Sequence, residues 1–203
     1  MRDSTAATRG GNHGTAKPLQ RRAILAASAG AFLPSVPARA QTPPRVITIA
    51  TVGDPGSLDP MPFTADLVSE IDQHIHETLY IFDPNLHFFL LLTAAFPEIS
   101  ADGKHYVIRL RTEVCFHDAS LMEADDVVTS LQRWMRLSPR GCLGGEYVES
   151  VAARETSTVE LTLRCPYAQL LALLAYPNGA AAIMPRRLAT APDPLKEFIS
   201  TGP

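Results

Sequence analysis

Residues 105–134 read HYVIRLRTEVCFHDASLMEADDVVTSLQRW, and this stretch decides the fold. Tyr106, Ile108 and Leu110 alternate with Val107, Arg109 and Arg111, the period-two pattern of a half-buried strand. Phe116-His117-Asp118-Ala119 turns the chain after a short strand. Val127, Val128, Leu131, Trp134 and Met135 then recur at helical spacing. Asp125 and Asp126 fall in the first turn of that helix, where acids offset the positive end of its dipole, and Arg133 and Arg136 complement the other end.

The order strand, turn, short strand, turn, helix, with these residues, resembles a signature of the extracytoplasmic solute-binding proteins of peptide/nickel-type ABC importers (family 5). Its usual form is close to Y-x-F-x-L-R-x-G-V-x-F-H-D-G-x-P-x-T-A-x-D-V-x-x-S-L-x-R-W. Further matches lie outside it. A loop closes on Leu58-Asp59-Pro60, Glu77-Thr78-Leu79-Tyr80 is similar to a Y/F-E-x-L segment, Ala181–Pro185 to a strand ending in Ile-x-Pro, and Ser200-Thr201-Gly202-Pro203 to Gly-Thr-Gly-Pro-Tyr. The resemblance implies an α/β lobe, mixed α+β, from an incomplete two-lobed binding-protein architecture.

It also implies capture of an oligopeptide or similar small solute, with glutathione, an opine or a nickel chelate as candidates. Delivery to an inner-membrane ABC permease would follow, by a monomer, with neither cofactor nor covalent chemistry. In the family the ligand lies between two lobes joined by crossover strands. By resemblance, Asp54, Ser57 and Leu58 of the first loop and Thr201 and Gly202 of the crossover lie near the lobe junction as ligand contacts. Asp54 has a second reading, as the cap of its own turn.

Three signature positions depart from the pattern. Glu113 and Ala119 stand where the family has glycine, and Glu123 where it has a threonine N-cap. A non-glycine residue costs about 1–2 kcal/mol wherever the backbone needs positive φ. The chain also lacks the family's C-terminal half, so a truncated or non-functional member is a second expectation.

The first forty residues carry six basic residues and one acid. Arg21-Arg22 precedes an apolar run to Leu33, and Ala38-Arg39-Ala40 is an A-x-A exit before Gln41. These are the parts of a cleaved secretory signal, Tat-like by its twin arginine or Sec-dependent, which places residues 41–203 in the periplasm. The whole chain has 18 basic and 21 acidic residues; residues 41–203 keep 12 and 20, a net charge of 12 − 20 = −8. That balance excludes nucleic acid as a partner, since binding it needs a basic face.

Along the rest of the chain, residues 45–51 read as a strand. A helix capped by Thr64 runs from Ala65 to about Leu79 with Leu67, Ile71, Ile75 and Leu79 inward. Ser138 to Gly145 reads as a glycine-rich loop, 148–152 and 158–163 as a strand pair, and 166–175 as a buried helix. Cys115, Cys142 and Cys165 match no zinc spacing. They are read either as one disulfide plus a free thiol or as three buried small apolar residues.

Among catalytic candidates, His74-x-His76-Glu77 lacks one-face helical spacing and reads as boundary histidines. His117-Asp118 is either part of a structural turn or, in a secreted hydrolase, a base and its orienter. No G-x-S-x-G, Walker A or G-x-G-x-x-G occurs to mark a nucleophile or a phosphate site.

Overall fold

The computed structural model describes residues 48, 50, 51 and 53–203. The signal segment and most of the 45–51 strand lie outside them; Thr48, Ala50 and Thr51 are not in a strand.

Alternation at 105–111 builds the centre of the fold. Strand β4 (His105–Arg109) buries Tyr106 and Ile108 and exposes His105 and Arg109. It pairs antiparallel with β6 (Thr158–Leu163), Tyr106 opposite Leu161 and Ile108 opposite Val159, so four apolar side chains share one face. The two-residue turn Thr156-Ser157 returns β6 from β5 (Val148–Glu155), and β3 (Glu98–Ile99) closes the other edge in the order β3-β4-β6-β5. A separate hairpin joins β1 (Tyr80–Phe82) and β2 (Phe88–Leu90). The earlier helix α1 is Asp66–Asp72.

Helix α2 (Ala124–Leu137) covers the sheet with Val127, Val128, Leu131 and Trp134, all buried. Its entry is held by Asp126, whose carboxylate accepts the Glu123 amide at 2.9 Å and the Arg186 amide at 2.7 Å. An acid two residues inside the helix thus compensates for the missing threonine cap.

Several expectations are corrected. Helix α1 ends at Asp72, not near Leu79, because Ile75 N–H and His76 N–H both close on the Asp72 carbonyl and Thr78 and Leu79 then extend to bond Leu92 and Leu91. Ala65, not Thr64, occupies the cap position, and the face turned inward is Val68, Ser69 and Asp72, with Leu67 and Ile71 only half-buried. Residues 139–145 form a helix, α3 (Pro139–Gly145), not a loop. Proline opens it, and Gly141 lets it fold back on α2: a Cβ there would lie 2.0 Å from the Trp134 carbonyl oxygen. The helix expected over 166–175 is shorter, α4 (Leu170–Ala175).

Residues 181–184 are fully buried but join no strand ladder. Their polar backbone is satisfied otherwise: Ile183 N–H donates to the Glu77 carbonyl at 2.9 Å, and the Ser130 hydroxyl accepts from Met184 N–H at 3.1 Å. A last short helix, α5 (Arg186–Ala189), follows. Cys115, Cys142 and Cys165 are all exposed free thiols, which overturns both readings made of them. Cys115 is on a turn bridge to Leu121, and Cys142 is on the outer face of α3.

The two glycine replacements sit where strain was expected. Glu113 has φ +64° and Ala119 has φ +65°, both left-handed. Ala119→Gly is therefore expected to raise stability by about 1 kcal/mol, the relief of a left-handed Cβ less the freedom glycine adds to the unfolded chain. Urea melts of the pair measure it; an unchanged or lower midpoint for the glycine variant would refute the strain.

Candidate functional site: two loops, a buried ion network and a polar cavity

The Leu58-Asp59-Pro60 turn is anchored from beneath. Asp59 is 2% exposed and meets Arg133, 1% exposed, in a two-pronged pair: Nη2 to Oδ2 at 2.7 Å and Nη1 to Oδ1 at 3.1 Å. Arg133 Nη2 also reaches Asp193, whose second oxygen takes Arg136 at 2.7 Å. Sequence reasoning put Arg133 and Arg136 at the helix end for its dipole. Instead Arg133 turns inward, because its row on α2 continues that of Ser130 into the core. The Arg136 and Arg133 guanidiniums hold the Asp193 carboxyl below the usual carboxylate range.

Above this anchor, Asp54, Ser57 and Leu58 line an open depression of about 430 Å3 with Pro194, Leu195 and Phe198. Asp54 is exposed, and its Oδ1 accepts the Gly56 amide at 2.9 Å. Ser57 Oγ accepts the Asp59 amide at 3.1 Å. Each side chain organises its own turn and keeps further hydrogen-bonding capacity.

Thr201 and Gly202 lie elsewhere, against the end of α1. Gly202 N–H donates to the Ile75 carbonyl at 3.1 Å, and a Cβ at Gly202 would stand 2.6 Å from that oxygen, so the contact requires glycine. His117 secures the same segment. Its Nδ1 accepts the Ser200 amide at 3.4 Å, and its Nε2 donates to the Gly202 carbonyl at 2.8 Å, which assigns the proton to Nε2. The structure thus groups Asp54, Ser57 and Leu58 in one depression and Thr201 with Gly202 in another place.

His117 and Asp118 do not act as a base and its orienter. Both ring nitrogens of His117 face backbone groups. Asp118 bonds the Ser120 hydroxyl at 2.6 Å and Arg187 at 3.0 Å, and these two hold its carboxyl down at about 2. The turn is a clasp for residues 197–202, closed by the Arg187–Glu197 pair at 2.8 Å.

Sequence reasoning missed one polar pair. His74 is exposed as expected, but His76 is buried and faces Asp72 with 3.8 Å between Nδ1 and Oδ1. Among the described residues, neither oxygen of Asp72 and neither nitrogen of His76 has a hydrogen-bond partner. Burial, then the nearby Asp59 charge, pushes the Asp72 carboxyl up to about 7. Burial, then His117 and Arg133, pulls His76 down to about 4. Between about pH 4 and pH 7 both groups are therefore neutral in the folded chain, and the two do not form an ion pair. Both line a cavity of about 160 Å3. The i, i+4 spacing of Asp72 and His76 is the signal of this pair in the sequence, in place of the His74–His76 interval. Among the described residues no group of three His, Cys, Asp or Glu side chains is placed to hold a metal ion.

A four-stranded antiparallel sheet under one long helix, with a loop pinned to that helix and residues 200–202 held by His117 and Ile75, is a mixed α+β lobe of the periplasmic-binding-protein kind. The chain belongs to the bacterial extracellular solute-binding proteins, family 5, whose middle region matches residues 89–203. It is 28% identical over 174 residues to the glutathione-binding protein GsiB of Pectobacterium atrosepticum, covering 84% of this chain and 32% of that protein. It is 29% identical over 170 residues to di/tripeptide-binding protein 2 of Pseudomonas aeruginosa, covering 74% and 32%. Among solved structures, the binding protein AgaA of A. tumefaciens R10, in complex with agropinic acid, superposes with a TM-score of 0.64 at 26% identity, covering 74% of this chain and 31% of that one. The chain thus spans about a third of the length of the curated relatives it matches.

Proposed function

We propose that this chain contributes one wall of the solute site of a peptide-type ABC importer's binding protein. It acts outside the cytoplasm after cleavage near Ala40/Gln41 and hands its solute to an inner-membrane permease. The solute class is an oligopeptide or a similar small molecule such as glutathione. The role is capture without covalent chemistry. The family match across 89–203 carries the reading. Asp54 and Ser57 offer polar contacts at the loop, Leu58 an apolar one, and Thr201-Gly202 the hinge-side backbone.

One wall leaves a bound solute half solvated, and tight capture needs enclosure on most sides. The 203-residue chain is therefore expected to bind di- and tripeptides or glutathione no tighter than about millimolar, near −4 kcal/mol. Calorimetry gives the affinity, and amide chemical shifts during the same titration locate it. Micromolar binding would refute the one-wall reading. Shifts that avoid Asp54–Leu58 and Thr201–Gly202 would refute the residue assignment.

A further inference from the structure

We propose that the Asp54–Leu58 depression holds the amino-terminal end of a peptide whose first side chain is apolar, with the α-ammonium on Asp54 and that side chain against Leu195 and Phe198. The proposal rests on the one-wall reading and adds the orientation of the solute and the chemistry of its first residue.

Both walls of the depression are fastened to one guanidinium. The loop that carries Asp54, Ser57 and Leu58 ends at Asp59, which Arg133 holds by two hydrogen bonds. The opposite wall, Pro194, Leu195 and Phe198, begins next to Asp193, which the same Arg133 also holds. Glu197 is tied to Arg187 at 2.8 Å and Ser200 to His117, so the second wall is fixed at three points. Walls fixed in advance spare a ligand the entropy of ordering them. Arg133 lies buried beneath and acts as a positioning residue for both.

The lining selects the occupant. Leu58, Leu195 and Phe198 offer an apolar surface, and no lysine or arginine lines the depression. The neighbouring carboxylates are already matched, Asp59 and Asp193 by Arg133 and Arg136, Glu197 by Arg187. Asp54 has no cationic partner among the described residues, and with Oδ1 on the Gly56 amide its Oδ2 remains to accept. An ammonium group meets that oxygen in a charge-assisted hydrogen bond, whereas a ligand carboxylate would be repelled. Ser57 Oγ accepts the Asp59 amide and still has its proton to donate. A peptide's first residue carries ammonium, side chain and carbonyl on adjacent atoms, one group each for Asp54, the Leu195–Phe198 wall and Ser57. A lysine side chain brings an ammonium without an apolar branch beside it.

The test titrates the full chain with leucylglycinamide, its N-acetyl derivative, glycylglycinamide and Nα-acetyl-lysinamide, each to about 50 mM. Backbone amide shifts are followed at about pH 6.5, where the α-ammonium is charged. Leucylglycinamide is expected to bind with a Kd of about 1–10 mM, at least about threefold tighter than each of the others, and to shift Gly56 and Leu195. Asp54→Asn should remove its advantage over the N-acetyl derivative. Phe198→Ala should remove its advantage over glycylglycinamide. Phe198 packs against the core, so Leu58→Ala is the second variant, expected to reduce that same advantage about twofold. Equal binding of the N-acetyl derivative or of glycylglycinamide, a preference for Nα-acetyl-lysinamide, or an undiminished advantage in Asp54→Asn would each overturn the proposal and leave the one-wall reading standing. An absence of shifts at Asp54–Leu58 with all four probes would overturn both.

Discussion

Arg133→Met is expected to lower the unfolding free energy by about 3–5 kcal/mol, because it strips the partner from a carboxylate that cannot reach water. Asp59 is 2% exposed and loses both of its charged hydrogen bonds at once. Methionine keeps much of the stem volume, so the loss reports the charge and not a cavity. Asp193→Asn should cost far less, about 1 kcal/mol, since that side chain remains 35% exposed and solvent replaces part of the pair. Denaturant melts at pH 7 measure both. An Arg133→Met loss below about 1 kcal/mol would show that Asp59 is solvated or protonated in the variant. Adding Asp59→Leu to Arg133→Met should recover part of the loss, because the orphaned charge goes with it.

Asp72→Asn is expected to stabilise the fold at alkaline pH and to leave it unchanged near pH 4. The folded-state carboxyl titrates at about 7 against 3.8 in the unfolded chain. Wild-type stability from this group is therefore complete below pH 3.8 and lost as pH rises through 7. At about 1.36 kcal/mol per tenfold change in proton affinity, an ionised Asp72 costs the fold about 4 kcal/mol. The asparagine amide still lacks partners, so the net gain at pH 8 should be about 2–4 kcal/mol.

His76 works with the opposite sign. Its folded value is about 4 against 6.5, so its stability is present above 6.5 and lost as pH falls through 4. Between those limits the folded pair carries its proton on Asp72 and the unfolded pair carries it on His76. Equal proton counts cancel the two slopes in the wild type. His76→Leu should therefore stabilise near pH 4 and do little at pH 7, the mirror image of Asp72→Asn. Urea melts from pH 4 to pH 8 decide it, and a variant-minus-wild-type difference that does not change with pH would reject the exchanged-proton picture.

What was legible in the sequence was whatever a local period could encode. The alternation of Tyr106 and Ile108 and the stripe of Val127, Leu131 and Trp134 each need only one element to be recognised, and each stands where it was read. The strain at Glu113 and Ala119 was legible because a turn dictates φ from its own few residues. What failed depended on partners far along the chain. Gly141 looked like loop chemistry, yet its missing side chain makes room for the Trp134 carbonyl. Residues 181–184 looked like a strand because they are uniformly apolar, but their bonding partners are the Ser130 hydroxyl and the Glu77 carbonyl. The 67-71-75-79 stripe of α1 was a regular pattern overridden by Thr78 and Leu79 joining the hairpin.

The candidate site divides in the same way. That Asp54 and Ser57 belong to a loop was visible locally, and so was the turn at His117-Asp118, but not that this turn clasps Ser200 and Gly202 more than eighty residues on. Nothing local shows that Asp59 lies 74 residues from its guanidinium, or that Asp72 and His76 are sealed inside. Burial of a charged side chain is decided by what packs around it, and here Ala175, Pro177 and Ala180, about a hundred positions away, line the same cavity as Asp72 and His76.

The ion network around Arg133 also orders events in time. Its first partner, Asp59, precedes it by 74 residues, while its second, Asp193, comes 60 residues later. A ribosome adding about 5–20 residues per second needs about 3–12 s to cover that gap. Through that interval a nascent chain holds the arginine matched on one side only, and the apolar stretch 181–184 that closes over Ser130 is also still to be made. Synthesis from the N-terminus therefore leaves the sheet and its long helix waiting on residues 181–193, and their arrival is the event that locks the lobe.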